Sequence, residues 1–385
     1  MRDKLEVYMD NSATTKPYDE VIEAMVDIMR NYYGNPSSSH IYGFKAEKKL
    51  NEAREVIAKT LNCTKDEIVF TSGGSESNNF LIRGFSKPGT NVITSKIEHA
   101  SVMNTFKELE KQGVTVTYLD TDDDGKINLE QLKNSINKDT ALVSIMHVNN
   151  EVGIIQDLNK IGNVIKEKSS RAKFHVDAIQ SYGKLKINIK EDKIDLLSIS
   201  GHKIHGPKGI GAAYIKKGLN PEPLIYGGGQ EKKFRSGTEN LPAIVGLSVA
   251  ANKICSRQEE NFNKVSELKG YFIERLKELE DIKINSEGSD FSPYILSVAF
   301  KGVKGEVLLY ALEDGGVYIS RGSACSAKLQ GKNYVLEGFG LKEADINSTV
   351  RFSFSAYNSK SEVDYVIETL DKSLKFLRRM RKWDN

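Results

Sequence analysis

The chain has 385 residues, of which 39% are hydrophobic and 28% are charged, and its formal net charge is only +3. Acidic and basic residues are interleaved throughout, so the composition gives no electrostatic footprint for a nucleic acid or a membrane surface. The length suits two domains, and no segment approaches the roughly 20 apolar residues of a membrane span. The charged start, MRDKLEVYMD, is unlike a signal peptide, which favours the reducing cytoplasm.

Two helix-period segments open the chain, VIEAMVDIMRNYY and AEKKLNEAREVIAKTL, and each carries an apolar stripe suited to lying over a sheet. Short β-rich runs then alternate with helical patterns such as LNKIGNVIKEKS. These runs are EIVFTS, NVITS, TVTYL, ALVSIMHV, KFHVDA, DLLSIS and GAAYI. The alternation predicts an α/β fold with a large domain built on a mostly parallel, seven-stranded sheet covered by helices.

The pattern of predicted helices and strands changes after about position 240. One long helical stretch leads into SPYILSVAF, a helix at EVLLYALEDG and TVRFSFSA, which together predict a smaller α+β unit. We place residues 14–255 in the large domain, and residues 1–13 and 256–385 in the small domain. The basic cluster RRMRK at 378–382 ends a C-terminal helix, where cations suit the helix dipole; a partner dock is the alternative interpretation.

Three cysteines lie far apart, without CxxC spacing, so neither a disulfide framework nor a zinc site is predicted. Cys255 falls in a helical pattern and Cys63 in a polar turn, and neither shows a functional sign. Cys325 lies in SRGSACSAKLQGKN, where no apolar neighbour would bury it. This segment predicts a mobile loop that carries a reactive thiol.

Two patterns imitate metal sites. DTDDDGKINLEQ, at 120–131, resembles a calcium-binding loop, but Gln131 stands where a bidentate glutamate is required and the segment follows a strand, so an acidic turn is favoured. His202 and His205 are three residues apart, yet no further ligand set accompanies them. No metal is therefore predicted.

Ligands of an open parallel sheet gather beyond the carboxyl ends of its strands. The turn TSGGSESNN follows one such run, and its amides with the hydroxyls of Ser72 and Ser75 form a possible phosphate site, although Ser and Gly cap many helices. His99 follows NVITSKIE and is equally compatible with a satisfied loop histidine. Asp177 ends KFHVDA, where a lone buried carboxylate needs a cation, such as a protonated pyridine nitrogen; a helix cap is the alternative.

Lys203 follows DLLSIS within SGHKIHGPKGIG, a segment without any carboxylate to hold its charge. A solvated turn lysine is the simplest interpretation of such a residue. Because desolvation lowers the pKa of a lysine, however, Lys203 beside a phosphate site and Asp177 could form a Schiff base with a flat aromatic cofactor.

Ten blocks, taken in order, make the chain similar to the cysteine desulfurases, enzymes that use pyridoxal 5'-phosphate and have the aspartate-aminotransferase type of fold. They are YMDNSATT, GNPSSSH, FTSGGSESNN, TSKIEH, SIMHVNNEVG, HVDAIQS, SGHKIHGPKGIG, GGGQEKKFRSGTEN, SRGSACSA and VRFSFS. The resemblance implies that Lys203 holds the cofactor as a Schiff base and that His99 stacks on its ring and moves protons. Asp177 would face the ring nitrogen and Gln180 the ring hydroxyl.

The resemblance also assigns the remaining site residues. The cofactor phosphate would be held by Gly74, Ser75, Ser200 and His202, with Thr238 reaching it from the other subunit of a homodimer. Asn150 would contact cofactor and substrate, and Arg351 would grip the substrate carboxylate through two parallel hydrogen bonds.

The implied reaction converts L-cysteine to L-alanine and leaves a persulfide on Cys325 for a sulfur-acceptor protein, in iron–sulfur cluster assembly or in tRNA or cofactor thiolation. The sequence around Cys325 is similar to the long-loop branch of the family. Departures from the family pattern are Gly74-Ser75 for a common Ala-Thr, Lys232-Lys233 for a common Arg-Gly, and Arg321 for a small residue. An aminotransferase or a selenocysteine lyase on the same fold, and a non-catalytic interaction module, are the alternatives.

Overall fold

The computed structural model describes residues 5–122, 125–322 and 333–381. Its strands are β1 Val7–Tyr8, β2 Ile68–Thr71, β3 Asn91–Ser95, β4 Thr115–Leu119, β5 Thr140–Met146, β6 Lys173–Asp177, β7 Leu196–Ser200, β8 Gly211–Ile215, β9 Ile282–Ile284, β10 Ile295–Phe300, β11 Val317–Tyr318 and β12 Thr349–Ser353. Its helices are α1 Asp19–Asn31, α2 Ile41–Thr60, α3 Gly74–Phe85, α4 Ala100–Lys111, α5 Leu129–Ser135, α6 Leu158–Lys168, α7 Leu241–Ser256, α8 Gln258–Leu276, α9 Gly305–Asp314, α10 Tyr334–Gly338, α11 Glu343–Ser348 and α12 Lys360–Arg381.

The main sheet has seven strands in the order β2-β8-β7-β6-β5-β3-β4. Strand β8 runs antiparallel to both of its neighbours, and the other pairings are parallel. Each of the seven predicted β-rich runs supplies one strand, so the predicted mostly parallel sheet is confirmed. Strands β3 and β7 are buried along their whole length, as expected when helices cover both faces of a sheet.

Alternate residues of each strand enter two separate hydrophobic cores, because successive side chains of a strand point to opposite faces. Ile93 and Leu197 pack in the core beneath α1, α2, α6 and α7. Their neighbours Val92 and Leu196 pack in the core beneath α3 and α4. The sheet is therefore held from both sides, and its strand ends are fixed in position.

A second, antiparallel sheet joins β9, β10 and β12 in the order β12-β10-β9. Its core includes Phe352 on the sheet, Phe272 on α8 and Leu370 on α12. The long helical stretch of the sequence is two helices, α7 and α8, with Arg257 between them. This break lies beside the predicted domain boundary, and the division at residue 255 itself stays a prediction.

The acidic turn before α5 uses its carboxylates locally. Asp120 forms an ion pair with Lys96, and its backbone N–H donates to Gln131 Oε1 at 2.7 Å. Asp122 Oδ1 accepts the backbone N–H of Lys126 at 2.9 Å, and Asp124 lies outside the described residues. These bonds favour the interpretation as an acidic turn. Within the described ranges, no helix combines the length and apolar character needed to cross a membrane.

Candidate active site

A cavity of about 510 Å³ opens at the carboxyl ends of the parallel strands. It gathers most of the residues that the sequence predicted for the site. Those residues are Gly74, Ser75, His99, Asn150, Asp177, Gln180, Ser200, His202, Lys203 and Arg351. Parallel strands end at one edge of a sheet, and this topology brings together residues that are distant in the chain.

The phosphate end of the cavity is the start of α3. The sequence suggested a turn before a helix, whereas Gly74 and Ser75 are already in the first helical turn, where backbone N–H groups lack intrahelical acceptors. A Cβ on Gly74 would lie 2.2 Å from Ile179 Cδ1, and Gly73 adopts φ +154°, a conformation that glycine alone adopts readily. The two glycines therefore keep the exposed amides open to an anion.

Asp177 is buried at the end of β6, and each of its oxygens accepts one neutral donor. Asn78 Nδ2 donates to Oδ2 at 2.8 Å, and the backbone N–H of Ile179 donates to Oδ1 at 3.0 Å. Burial raises the pKa of the Asp177 carboxyl above its ordinary value, although these hydrogen bonds oppose the shift. A cation placed next to Asp177 would stabilise its carboxylate form.

His99 caps the start of α4. Its Nδ1 accepts the backbone N–H of Ser101 at 3.1 Å, so the neutral ring carries its proton on Nε2. Asn78 Nδ2 also donates to Ser101 Oγ, at 2.9 Å, and that hydroxyl lies 2.9 Å from His99 Nδ1. One amide thus connects His99 with Asp177. Burial lowers the pKa of His99 below its ordinary value, although Asp177 opposes the shift.

Lys203 ends the short 3₁₀ turn that follows β7, and its side chain is half-buried. Its Nζ donates to the backbone oxygens of Ser12 at 2.5 Å and Ala13 at 2.9 Å, and forms no ion pair with a described carboxylate. Burial, followed by the charges of Arg351 and Lys184, lowers the pKa of Lys203 to about 7. A large fraction of the amine is therefore neutral and nucleophilic near pH 7.

The two histidines around Lys203 have separate surroundings. His202 Nδ1 lies 3.2 Å from Thr14 Oγ1, and burial lowers its pKa to about 4, so the ring is neutral. His205 Nδ1 contacts the backbone oxygen of Lys16 at 2.8 Å. The two rings do not share a binding point, and only His202 lines the cavity.

Arg351 lies on β12 with its side chain buried. Its Nη1 donates to the backbone oxygen of Asn150 at 2.6 Å, and its Nη2 forms an ion pair with Asp10 at 2.8 Å. Its Nε has no hydrogen-bond acceptor among the described residues. The guanidinium edge that carries Nε therefore keeps an unused donor for a carboxylate.

Several buried polar atoms of the cavity lack partners within the described part of the chain, among them Gln180 Oε1, Asn150 Oδ1 and Ser12 Oγ. Such atoms are costly unless a ligand pairs with them. Pyridoxal 5'-phosphate offers a group for each of these features. Its phosphate suits the free amides of α3, and its ring nitrogen suits the Asp177 carboxylate, which lacks a cation. Its ring hydroxyl suits the unused acceptors, and its aldehyde suits the neutral lysine. The residues present thus fit this cofactor.

Two predicted residues are not in this group. Thr238 is exposed and does not line the cavity, and Cys325 lies outside the described residues. The chain on either side of Cys325 is nevertheless anchored beside the site. Asn333 Nδ2 donates to Glu151 Oε2 at 2.7 Å, and a Cβ on Gly322 would lie 2.7 Å from that same oxygen.

Sequence reasoning missed several supporting residues. Asn78 falls within the quoted block FTSGGSESNN, and Asp10 within YMDNSATT, but no role was given to either. Their position inside blocks that carry site residues is the signal that could have pointed to them. The Ser12 and Ala13 oxygens that hold Lys203 belong to the backbone, which side-chain patterns do not reveal.

Similar known proteins define the family of this chain. The family model for aminotransferase class-V matches residues 7–366. The chain is 42% identical to "Cysteine desulfurase IscS" of Clostridium botulinum strain Hall, over 97% of this chain and 96% of the relative. It is also 42% identical to the protein of the same name from Vibrio cholerae strain M66-2, over 99% and 96%.

Solved structures show the same relationship. A "NifS-like protein" superposes with a TM-score of 0.91 at 37% identity, over 97% of this chain and all of the other. A structure described as "SspA in complex with cysteine" gives 0.80 at 37% identity, over 92% of this chain and all of the other. The chain belongs to the aminotransferase class-V family and, within it, to the cysteine desulfurases. The cysteine desulfurases use pyridoxal 5'-phosphate to convert L-cysteine to L-alanine.

Proposed function

We propose that the cavity binds pyridoxal 5'-phosphate through Lys203 and that Cys325 receives the sulfur of L-cysteine. The observation that carries the proposal is the Lys203 amine, held between two backbone oxygens with its pKa lowered to about 7, in the same cavity as Asp177 and the open start of α3. A solvated lysine would remain charged near pH 7, and only a neutral amine can attack an aldehyde.

When bound, the cofactor supplies an electron sink for bonds that break at the substrate's α carbon. Gly74, Ser75, Ser200 and His202 would hold its phosphate, and Asp177 would pair with its ring nitrogen. Gln180 Oε1 and Asn150 Oδ1 are unused acceptors for its hydroxyl.

The substrate and its protons are handled by three further side chains. Arg351 binds the substrate carboxylate through its unused Nε edge, while Asn150 contacts the substrate from the neighbouring chain segment. The Lys203 amine can accept and return a proton near neutral pH because its pKa lies there. His99 is fixed with its Nε2 edge available, and it moves a proton to or from the reacting thiol.

The sulfur step balances without an external oxidant. The Cys325 thiolate forms an S–S bond with the substrate sulfur while the substrate's Cβ–S bond breaks. The electron pair of that bond stays with Cβ, which gains a proton on the way to alanine. The products are alanine and a Cys325 persulfide, so one sulfur atom has moved and no electron is gained or lost overall.

The other cysteines are poor candidates for this role. Burial raises the pKa of Cys63 to about 12 and that of Cys255 to about 11, so both thiols stay protonated at neutral pH. Cys325 follows Gly322 by three residues, and chain geometry keeps the two Cα atoms within roughly 11 Å. Gly322 and Asn333 both lie against Glu151, next to Asn150, so the segment that carries Cys325 begins and ends beside the proposed substrate position.

A homodimer would complete the site with Thr238 from the partner subunit. Two features support it: Thr238 does not line the cavity of its own chain, and several large apolar side chains are exposed in one chain, including Tyr33 (70%), Phe44 (62%) and Tyr226 (79%). We further propose delivery of the persulfide sulfur to an acceptor protein in the cytoplasm, for iron–sulfur cluster assembly or for tRNA or cofactor thiolation.

Mass spectrometry after incubation with L-cysteine tests the proposal. We expect the peptide that contains Cys325 to gain the mass of one sulfur atom, with free alanine released in parallel. Cys255→Ser is the matched control and should keep both signals, whereas Cys325→Ala should lose both. Persulfide on another cysteine, or full alanine release by Cys325→Ala, would overturn the assignment of Cys325.

The same variant distinguishes the alternative enzymes, because neither an aminotransferase nor a selenocysteine lyase has an evident need for a loop cysteine. The cofactor has its own test. Purified protein should be yellow, and borohydride should bleach it and link the cofactor to the peptide that contains Lys203. A colourless protein that takes up no pyridoxal phosphate would favour a non-catalytic interaction module.

A further inference from the structure

A second cavity, of about 170 Å³, lies on the far side of the Lys203 turn. It is bordered by Tyr18, by the α7–α8 junction at Arg257 and by Tyr294 before β10. His205, two residues after Lys203, also faces it, and its ring stacks on Tyr18 with 4.6 Å between centroids. The first cavity is lined by different residues, so the reaction described above leaves this second cavity unused.

Lys184 lines this cavity with only 4% of its surface exposed. Its Nζ lies 5.4 Å from the centroid of the Tyr294 ring, and no described carboxylate or carbonyl accepts a hydrogen bond from it. Another buried lysine, Lys269, shows the usual solution, because its Nζ donates to the Ser292 backbone oxygen at 3.0 Å. Burial lowers the pKa of Lys184 to about 8, so most of it is still charged at pH 7.

Tyr294 adds a second buried polar group without a partner. It is 4% exposed, and its Oη makes no hydrogen bond with any residue that the structure describes. A buried tyrosine hydroxyl normally finds a partner, because leaving it unpaired costs free energy. Tyr294 thus presents an unsatisfied donor to a cavity that Lys184 also lines.

The charge around the cavity has one dominant sign. Arg257 and Lys264 are exposed at its lining, and neither forms an ion pair with a described residue. Lys253 also lines it but is paired with Glu20 at 2.5 Å, and the one acidic side chain in the lining is that of Glu260. Positive charge therefore exceeds negative charge.

We propose that this cavity is an anion site for a small tetrahedral oxyanion, phosphate or sulfate. The anion accepts hydrogen bonds from Lys184 Nζ and Tyr294 Oη inside, and Arg257 and Lys264 attract it from the rim. Its volume of about 170 Å³ is sufficient for such an ion. The site is separate from the phosphate position at α3, and the ligand lies behind the turn that carries Lys203.

Isothermal titration of the holoenzyme with inorganic phosphate tests this site, because the cofactor then fills the phosphate position at α3. We expect saturable binding with a Kd of about 1 mM or tighter. Tyr294→Phe should weaken it about tenfold, the usual effect of losing a hydrogen bond to a charged group. Lys264→Ala should weaken it about two- to threefold, as for an exposed charge.

Matched substitutions elsewhere separate site binding from general salt effects. Tyr310→Phe on α9 and Lys372→Ala on α12 change equivalent groups on exposed surfaces and should leave the Kd unaltered. Sulfate in place of phosphate identifies which oxyanion is preferred, and chloride should not compete. Equal phosphate affinity in wild type, Tyr294→Phe and Lys264→Ala, with the cofactor absorbance intact in all three, would overturn the proposal and leave a water-filled cavity.

Discussion

Arg54 on α2 and Glu231 form a buried, two-pronged ion pair, with Nη1–Oε2 at 2.7 Å and Nη2–Oε1 at 2.5 Å. Glu231 Oε2 also accepts the backbone N–H of Phe70, at 2.8 Å, from the edge strand β2. Glu231, which precedes Thr238 in the chain, is thereby bound to β2, the strand that precedes the proposed phosphate-binding turn at Gly74. The Arg54–Glu231 pair therefore links the segment of Thr238, which we propose contacts the partner subunit's cofactor, to the proposed cofactor site of the same subunit.

Replacing Arg54 with methionine should lower the free energy of unfolding by about 3–5 kcal/mol, because the Glu231 carboxylate stays buried without a cation. Urea unfolding of the holoenzyme, followed by circular dichroism, measures the loss. Lys111→Met on α4 is the control: its ion pair with Glu108 is exposed, and its removal should cost less than about 1 kcal/mol. Equal losses in the two variants would contradict the anchoring role of Arg54.

The backbone at Glu231 and the two residues that follow it is strained. Glu231, Lys232 and Lys233 have φ values of 46°, 57° and 71°, a left-handed conformation that costs a non-glycine residue about 1–2 kcal/mol. Lys233→Gly should therefore stabilise the protein by about 0.5–1 kcal/mol, after allowance for the extra freedom of glycine in the unfolded chain. Glycine is common at this point in the resembling family.

The same unfolding assay supplies the comparison for Lys233. Lys217→Gly alters an exposed lysine that is not in the left-handed region, and it should destabilise the protein by about 0.5–1 kcal/mol. We expect the changes in the free energy of unfolding to have opposite signs for the two substitutions. A destabilised Lys233→Gly variant would mean that the left-handed conformation at 233 carries no strain.

Asn78 connects the two titratable groups that we expect at the face and at the ring nitrogen of the cofactor. Asn78→Leu removes a donor from Asp177 and another from Ser101, so the Asp177 pKa should rise further and the His99 ring should lose part of its support. We expect weaker cofactor binding and a kcat/KM at least about tenfold lower, a change of about 1.4 kcal/mol. Asn163→Leu, on the exposed side of α6, should change neither.

Cofactor affinity of the Asn78→Leu variant is measured by titrating the apoenzyme with pyridoxal phosphate and recording absorbance. Conversion of L-cysteine to alanine gives kcat/KM. If the variant lost activity but bound cofactor normally, with an unaltered absorbance spectrum, Asn78 would act on the substrate and not through Asp177.

The main sheet could be predicted from the sequence because strands buried on both faces appear as continuous apolar runs. Its topology then places residues after β2, β3, β6 and β7 at one edge, which explains why His99, Asp177 and Lys203 line one cavity. The Arg54–Glu231 pair was missed since its members are 177 positions apart and each resembles an ordinary surface charge in its own segment. The break between α7 and α8 was missed as well, because both helices continue one apolar pattern.

The site could be predicted only as far as side chains define it. Lys203 is held by backbone oxygens, which every residue possesses, so no sequence pattern specifies Ser12 or Ala13 as its acceptors. The lowered pKa of Lys203 was expected from desolvation and from the absence of a nearby carboxylate, but the extent of its burial depends on the packing of the whole site. The roles of all the site residues, Thr238 and Cys325 among them, remain predictions.

The Lys203 pKa of about 7 sets the pH dependence of cofactor uptake. Burial disfavours the charged amine, and only the neutral form reacts with an aldehyde, so uptake by the apoenzyme should rise with pH and level off above about pH 8. One unit below the pKa, about a tenth of the amine is neutral, and the rate should fall accordingly. An ordinary lysine would give a rate still rising at pH 9.

Lys184 supplies an internal check, because its charge helps to lower the Lys203 pKa. Lys184→Met should move the midpoint of the uptake profile to higher pH, whereas Lys372→Met on α12 should leave it in place. Stopped-flow absorbance with excess pyridoxal phosphate measures the profile. A midpoint unaffected by Lys184→Met would show that this charge does not reach the amine.

Asn333 ties the chain that follows Cys325 to the substrate site, and it does so with two separate functions. Its Nδ2 donates to Glu151 at 2.7 Å, while its Oδ1 caps α10 by accepting the N–H groups of Val335 and Leu336 at 3.1 Å. Asn333→Asp keeps the cap but replaces the donor with a second carboxylate facing Glu151. We expect alanine release to slow by about tenfold, because repulsion between the two carboxylates moves residue 333 away from Glu151 and so disturbs the positioning of Cys325 that we propose.

The cofactor absorbance and the thermal stability of Asn333→Asp should stay close to those of the wild type, since the helix cap is kept. Asn128→Asp makes the same exchange at the cap of α5, where Oδ1 accepts the Gln131 N–H at 2.9 Å, and it should leave turnover unchanged. Turnover is measured as alanine released per enzyme, with persulfide on Cys325 followed by mass spectrometry. If Asn333→Asp formed persulfide at the wild-type rate, the contact with Glu151 would not position Cys325, and the segment would have to be held by other residues.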